Sequence, residues 1–104
     1  MNELTAQQVF GRLNDAQIVD VRETEELVDG MISGARHIPL AEIPGSAGLL
    51  DKARPVIAVC RSGRRSAAAA EQLAAAGFTA YTMTGGMIEW TGTGLPMVVP
   101  DAPH

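Results

Sequence analysis

The fold class is indicated most clearly by residues 55–78, PVIAVCRSGRRSAAAAEQLAAAGF. Its first six residues are continuously apolar, as expected for a parallel strand that is covered on both faces. An alanine-rich segment follows at 64–78 and favours a helix, with Gly77 placed to end it in the left-handed conformation and Phe78 to pack back. A buried strand that turns at once into a helix is typical of α/β proteins.

The remaining segments continue this alternation of strands and helices. Thr5 and Gln8 are spaced as a capping box, which predicts a first helix over residues 5–14. Further strands are predicted at 16–21, 35–40 and 80–83, further helices at 24–30 and 85–94, and one or two helical turns within 41–54. The order of elements predicts an α/β sandwich with a mainly parallel sheet.

Length and composition indicate one soluble globular domain over residues 1–104. The chain has 104 residues, of which 46% are hydrophobic and 19% charged. We expect a core over about 4–99 and a frayed tail at 100–104. No apolar run approaches the roughly 18 to 20 residues of a membrane helix, and the N-terminus lacks the features of a signal peptide. A cytoplasmic location, where a lone thiol stays reduced, is therefore expected, with no membrane partner.

The composition also argues against metal and nucleic acid. One cysteine and two histidines cannot form a four-ligand zinc site without several carboxylates, so neither a metal nor another cofactor is expected. The formal net charge is -4, and basic residues cluster only around the cysteine, which argues against a nucleic-acid partner.

The one cysteine, Cys60, ends the predicted central strand and precedes a turn that holds three arginines. Backbone N–H groups at the start of the following helix should form a cradle for an anion. Together with Arg61, Arg64 and Arg65 they should favour the thiolate and lower the thiol pKa. Gly63 lets the loop turn tightly. A lone cysteine after a strand is more often a small buried apolar residue, but here its combination with the basic, glycine-containing turn favours a functional thiol.

The spacing within this loop separates two chemistries. Cysteine phosphatases place an arginine six residues after the cysteine, where this chain has Ser66, and Arg65 falls one place too early. The cradle is therefore one residue tighter and suits a single sulfur atom carried on Cys60. A phosphatase or arsenate reductase is disfavoured for the same reason.

Four segments in this order resemble the single-domain rhodaneses, which are sulfurtransferases. They are IVDVRETEE (18–26), GMISGARHIPL (30–40), VIAVCRSGRRS (56–66) and GFTAYTMTGGMIEWTGTGLPM (77–97). The resemblance implies a three-layer α/β/α sandwich with a mainly parallel central sheet of about five strands. It also implies that Cys60 is the catalytic residue and accepts a sulfane sulfur as a persulfide. The substrate-binding N–H groups would be those of Arg61, Ser62, Gly63, Arg64, Arg65 and Ser66.

The activity implied is sulfur transfer from a small anionic donor such as thiosulfate, or from a persulfide, to a thiol or cyanide-like acceptor. A protein thiol could also be the acceptor. One alternative stays open: a persulfide carrier or redox-sensing module that acts with partner proteins. A binding domain without activity is disfavoured, because such a domain need not retain a cysteine and this chain keeps it with its basic neighbours.

Several residues outside the loop have two interpretations. Asp20 lies on the same sheet edge as Cys60 and either caps the helix near Thr24 or orients the Cys60 loop, as the family pattern favours, through an arginine. Arg22 is interpreted as structural, and for His37 a structural or surface position is favoured over a role as a base. Met87 and Trp90, one turn apart, are expected to pack the last helix. Met31 and Ser33 replace residues of the usual family pattern, and their role is left open, as is that of His37.

Overall fold

A five-stranded parallel sheet forms the centre of the molecule in the computed structural model, which describes residues 2–100. The strands are β1 (Glu3–Leu4), β2 (Gln17–Asp20), β3 (Arg36–His37), β4 (Val56–Val59) and β5 (Ala80–Met83). They lie in the order β1-β5-β4-β2-β3, and every pair is parallel. The expected α/β fold with about five strands is confirmed.

Helices cover both faces of this sheet. They are α1 (Ala6–Phe10), α2 (Ile43–Ser46), α3 (Arg64–Ala75) and α4 (Gly86–Gly92). The side chains of β4 alternate between two cores: Ala58 packs with Leu73 of α3, and Val59 packs with Trp90 of α4. This strand is buried along its whole length, which explains its continuously apolar sequence.

The connecting segments include three short 3-10 helices. Thr24–Asp29 forms the first, and it ends at Gly30, whose φ is +106°. The other two, Leu40–Glu42 and Ala47–Leu49, flank α2, in agreement with the helical turns expected in 41–54. No helix in residues 2–100 is both long and apolar enough to cross a membrane.

The N-terminal region differs most from the sequence-based prediction. Helix α1 has the expected capping box, since the Gln8 amide donates to Thr5 Oγ1 at 3.2 Å and the Thr5 amide to Gln8 Oε1 at 2.9 Å. The helix ends at Phe10, however, not at residue 14. Strand β1 was not predicted, because two residues carry no pattern and only the pairing with β5 defines them.

The bounds of the strand predicted at 35–40 and of the last helix differ from the prediction, and most of the predicted tail is not described. The strand predicted at 35–40 is reduced to Arg36–His37, because the chain turns after Pro39 into the 3-10 helix Leu40–Glu42. The C-terminal helix ends at Gly92. Residues 101–104, most of the predicted frayed tail, lie outside the described part of the chain, and Pro100 is exposed.

Candidate active site at the carboxyl end of the central strand

Cys60 lies directly after β4, one residue beyond the strand, and its side chain is buried. Only three residues separate it from α3. The last of them, Gly63, has a φ of +102° and caps the helix. Because L side chains rarely adopt this conformation, glycine at 63 allows the chain to reverse within so short a loop. The turn therefore places the first turn of α3 next to the sulfur.

Three hydrogen bonds surround Cys60 Sγ. The amides of Gly63 and Ser66 donate to it at 3.0 and 3.3 Å, and its thiol donates to Ser66 Oγ at 3.4 Å. Burial has the largest single influence and raises the pKa of Cys60. The Ser66 side chain and the amides of Ser66, Gly63 and Ser62 together outweigh it, so the pKa of Cys60 is lowered overall. The thiolate is therefore more favoured here than in an ordinary cysteine.

Ser66 is itself held in place by buried contacts. Its hydroxyl forms a 2.7 Å hydrogen bond with Thr82 Oγ1 on β5 and donates to the Gly63 carbonyl at 3.1 Å. Both Ser66 and Thr82 are buried. The serine side chain therefore joins the loop to the neighbouring strand and fixes the hydroxyl beside the sulfur.

The N-terminus of α4 orients the peptides of the loop. The amides of Met87 and Ile88 donate to the carbonyls of Cys60 and Arg61 at 2.8 and 3.0 Å. A Cβ on Gly86 would lie 2.5 Å from the Cys60 carbonyl oxygen, so only glycine permits this close approach. Two carbonyls of the loop therefore accept hydrogen bonds from amides of α4. Sequence reasoning missed this contact, although the pair of glycines at 85–86 could have indicated it.

The three loop arginines are not equivalent. Arg61 and Arg64 are exposed. Arg65 instead forms a two-pronged ion pair with Glu26, with Nη1–Oε2 and Nη2–Oε1 distances of 2.7 and 2.8 Å. The hydrogen bond from Arg65 is the main cause that lowers the pKa of Glu26 to about 2, and the same pair raises the pKa of Arg65. The Ser66 side chain and the amides of Ser66, Gly63 and Ser62 are the leading causes that lower the pKa of Cys60, and the charge of Arg65, which attracts the Cys60 thiolate, acts in the same direction.

Asp20 and Arg22 form a buried ion pair at the end of β2. Arg22 Nη2 donates to Asp20 Oδ2 at 2.8 Å, and the Arg22 amide donates to Oδ1 at 3.1 Å. Arg22 also donates to the carbonyls of Gly30 at 2.9 Å and Glu26 at 3.4 Å. Asp20 therefore reaches the Cys60 loop indirectly, through Arg22, the segment that carries Glu26, and then Arg65.

The other residues singled out in the sequence have structural contacts. His37 Nε2 lies 2.7 Å from the Arg22 carbonyl oxygen. Met31 pairs with Val98 in an antiparallel bridge. Ser33 is exposed. Met87 and Trp90 are both buried, as expected for residues that pack α4.

A cleft of about 560 Å³ adjoins the loop, between the 3-10 helix Thr24–Asp29 and α4. Its lining combines charged and apolar side chains, among them Glu26, Arg61, Ile88 and Met97. Because Arg61 belongs to the loop and Glu26 touches Arg65, the cleft opens next to the sulfur site.

Residues 5–93 match the family described as the rhodanese-like domain, and the chain belongs to that family. A protein of Allochromatium vinosum named sulfurtransferase is 35% identical over 105 residues, which cover 97% of this chain and 98% of that protein. Thiosulfate sulfurtransferase GlpE of Pseudomonas aeruginosa is 35% identical over 80 residues, or 76% of this chain and 73% of that protein. A rhodanese-related protein from Thermoplasma volcanium has a similar solved structure, with a TM-score of 0.92 and 29% identity over 96% of this chain and 100% of that chain. These relatives support a sulfurtransferase role.

Proposed function

We propose that the protein transfers sulfane sulfur through a persulfide on Cys60, with thiosulfate or a persulfide as donor. The observation that carries this proposal is the polar surroundings of Cys60 Sγ: the amides of Gly63 and Ser66 donate to it, and the Ser66 hydroxyl accepts from its thiol at 3.4 Å. Such a site stabilises an anionic sulfur and leaves its charge available for nucleophilic attack. The thiosulfate sulfurtransferase among the relatives supports the choice of donor.

In the first step the Cys60 thiolate attacks the outer sulfur of thiosulfate. A new S–S bond forms on Cys60, the S–S bond of thiosulfate breaks, and its electron pair leaves with sulfite. The product persulfide is again an anion. Because α3 begins at Arg64, the amides of Arg64, Arg65 and Ser66 belong to its first turn and have no acceptor within the helix. They are the donors we assign to the added sulfur, together with those of Arg61, Ser62 and Gly63.

In the second step a nucleophilic acceptor, such as cyanide or a thiol, attacks the outer sulfur. The S–S bond to Cys60 breaks and its electron pair returns to the thiolate, so no external oxidant or reductant is needed. We assign the acceptor's approach to the cleft beside Arg61, where the apolar side chains of Ile88 and Met97 offer contact area to a larger thiol. The cycle requires a reduced Cys60, as in a reducing compartment such as the cytoplasm.

The same geometry disfavours phosphoryl transfer. A phosphatase of this type needs a guanidinium to clamp the phosphate oxygens from the position that Ser66 occupies. Here a hydroxyl lies 3.4 Å from the sulfur, and Arg65 is engaged by Glu26. We therefore expect no appreciable hydrolysis of aryl phosphates.

Steady-state turnover tests the proposal. The wild-type protein should convert thiosulfate and cyanide to sulfite and thiocyanate, and Cys60→Ser, which preserves the side-chain shape, should not. p-Nitrophenyl phosphate should remain intact in both. Efficient hydrolysis of that ester through Cys60, without any sulfur transfer, would overturn the proposal. Much faster turnover with a protein persulfide than with thiosulfate would identify the protein as a carrier between partner proteins.

A further inference from the structure

Glu26, which lies outside the Cys60 loop, forms an ion pair with Arg65. Its carboxylate receives both Nη groups of Arg65 and also accepts the Glu23 amide at 2.8 Å. Glu26 lines the cleft next to the loop, to which we assign the approach of the acceptor. The reaction itself does not use this carboxylate.

The buried ion pair of Asp20 and Arg22 holds the segment that carries Glu26. Arg22 donates to the Glu26 carbonyl at 3.4 Å and to the Gly30 carbonyl at 2.9 Å. It therefore bonds both to the 3-10 helix and to the residue that follows it. Arg22 is held in turn by Asp20, and the two side chains are 3% and 1% exposed. Ion pairs between mobile surface side chains contribute little to stability. The Glu26–Arg65 pair differs from these, because it joins two rigid elements with two-pronged geometry.

The Glu26–Arg65 ion pair reduces the positive charge next to the sulfur. Of the three arginines in the loop, Arg65 pairs with a carboxylate, while Arg61 and Arg64 form no ion pair with any residue in 2–100. A doubly charged donor therefore meets a site in which one of the three positive charges is already compensated. The Coulomb energy between the donor and Glu26 is proportional to the donor's charge.

We propose that Glu26 is a specificity-determining residue that weakens the binding of doubly charged sulfur donors relative to singly charged ones, by compensating Arg65. The inference rests on the proposed sulfur transfer through Cys60. It predicts a definite ratio: on removal of the Glu26 charge, the logarithm of the gain for a dianion is about twice that for a monoanion.

Glu26→Gln tests this ratio, because glutamine keeps the shape and one acceptor for Arg65 but removes the charge. We expect kcat/KM for thiosulfate, a dianion, to rise about three- to tenfold, mainly through KM. For methanethiosulfonate, a monoanion that donates its sulfur with methanesulfinate as leaving group, the factor should be about the square root of that. Both gains should shrink at high salt. Equal factors for the two donors, or no gain, would overturn the proposal.

Glu25→Gln is the matched control. It removes the same charge from the same 3-10 helix, and Glu25 is exposed and forms no ion pair within the described residues. It should leave the ratio of the two donors unchanged. If Glu26→Gln does not fold, Arg65→Gln gives the opposite test: kcat/KM should fall more for thiosulfate than for methanethiosulfonate, and equal losses would contradict the proposal.

Alkylation of the reduced protein by iodoacetamide, which is uncharged, gives a readout independent of turnover. In Glu26→Gln the pH midpoint of Cys60 alkylation should fall, because Arg65 is no longer compensated, and it should stay in place in Glu25→Gln. An unchanged midpoint in Glu26→Gln would refute the charge effect. If the wild type transfers sulfur from neither donor, the proposed function fails, while the midpoint still decides whether Glu26 compensates Arg65.

Discussion

The inner and outer sides of the Cys60 loop carry positive potential from different sources. On the inner side, the amides of Gly63 and Ser66 donate directly to the sulfur at 3.0 and 3.3 Å, and the Ser66 hydroxyl lies 3.4 Å from it. On the outer side, full charges on arginines are exposed to water or paired with Glu26. Short, fixed hydrogen bonds in a buried site act more strongly than solvated charges, which water and salt screen. We therefore expect the inner side to have the larger influence on the thiol pKa and the outer side to select among donors.

The largest effect is expected from a substitution that disturbs the packing of α4 against the Cys60 loop. Gly86→Ala would place a methyl group against the carbonyls of Cys60 and Arg61 at a φ of +57°. Overpacking and left-handed strain should lower the free energy of unfolding by about 2 to 5 kcal/mol and disrupt the loop. Urea denaturation measures this loss.

Gly92→Ala is the matched control for that substitution. It changes a glycine at the other end of α4 that has nothing within 4 Å of an added Cβ and no positive φ. The free energy of unfolding should stay nearly constant or rise slightly. Equal effects of the two substitutions would contradict the role assigned to Gly86.

Ser66→Ala removes the hydroxyl next to the sulfur and leaves Thr82 Oγ1 without that partner. We expect about 1 to 3 kcal/mol of destabilisation and a higher pH midpoint for iodoacetamide alkylation of Cys60. Adding Thr82→Val should restore part of the stability, because both partners are then apolar, but not the midpoint. A midpoint that does not move would show that the hydroxyl has no share in the lowered pKa.

The ion pair on the outer side predicts an acid-dependent loss of stability. The pKa of Glu26 is lowered from 4.5 to about 2 in the folded protein, so its contribution is present above about pH 4.5 and is lost as the pH falls towards 2. For a pair this exposed we expect about 1 kcal/mol. The free energy of unfolding of wild type should approach that of Glu26→Gln between pH 4.5 and 2. A constant difference across that window would argue against the pair.

The smallest effect is expected for Arg64→Gln. Arg64 is exposed, and the donors around Cys60 Sγ do not include its side chain. Its removal should shift the alkylation midpoint of Cys60 by only a few tenths of a pH unit at physiological salt, since water and ions screen it. A shift as large as that of Ser66→Ala would show that the arginines, not the inner donors, govern the thiol pKa.

Local patterns in the sequence were sufficient to predict the inner side of the site. The apolar run of β4, the turn at Gly63 and the alanine-rich helix α3 are contiguous, so their geometry places Ser66 and the loop amides at Cys60. The capping box at Thr5 was predictable for the same reason.

Contacts between distant residues were not predictable in this way. Glu26 and Arg65 are 39 positions apart, and the acidic run around Glu26 has the composition of an ordinary solvated helix start. The docking of Gly86 against Cys60 and the pairing of β1 with β5 depend on how separate elements pack. Residue patterns specify helices and strands, but they do not specify which side chains meet across the sheet edge.

Intact-mass measurement of the reduced protein, before and after thiosulfate and again after cyanide, shows whether Cys60 carries the sulfur. Cys60 is the only cysteine in the chain, so an added sulfur on a thiol can be assigned without ambiguity. We expect thiosulfate to add the mass of one sulfur atom, cyanide to remove it, and Cys60→Ser to show neither change. If the wild type stays unmodified by both thiosulfate and a protein persulfide, or if Cys60→Ser gains the same mass, the assignment of Cys60 as the sulfur carrier is wrong.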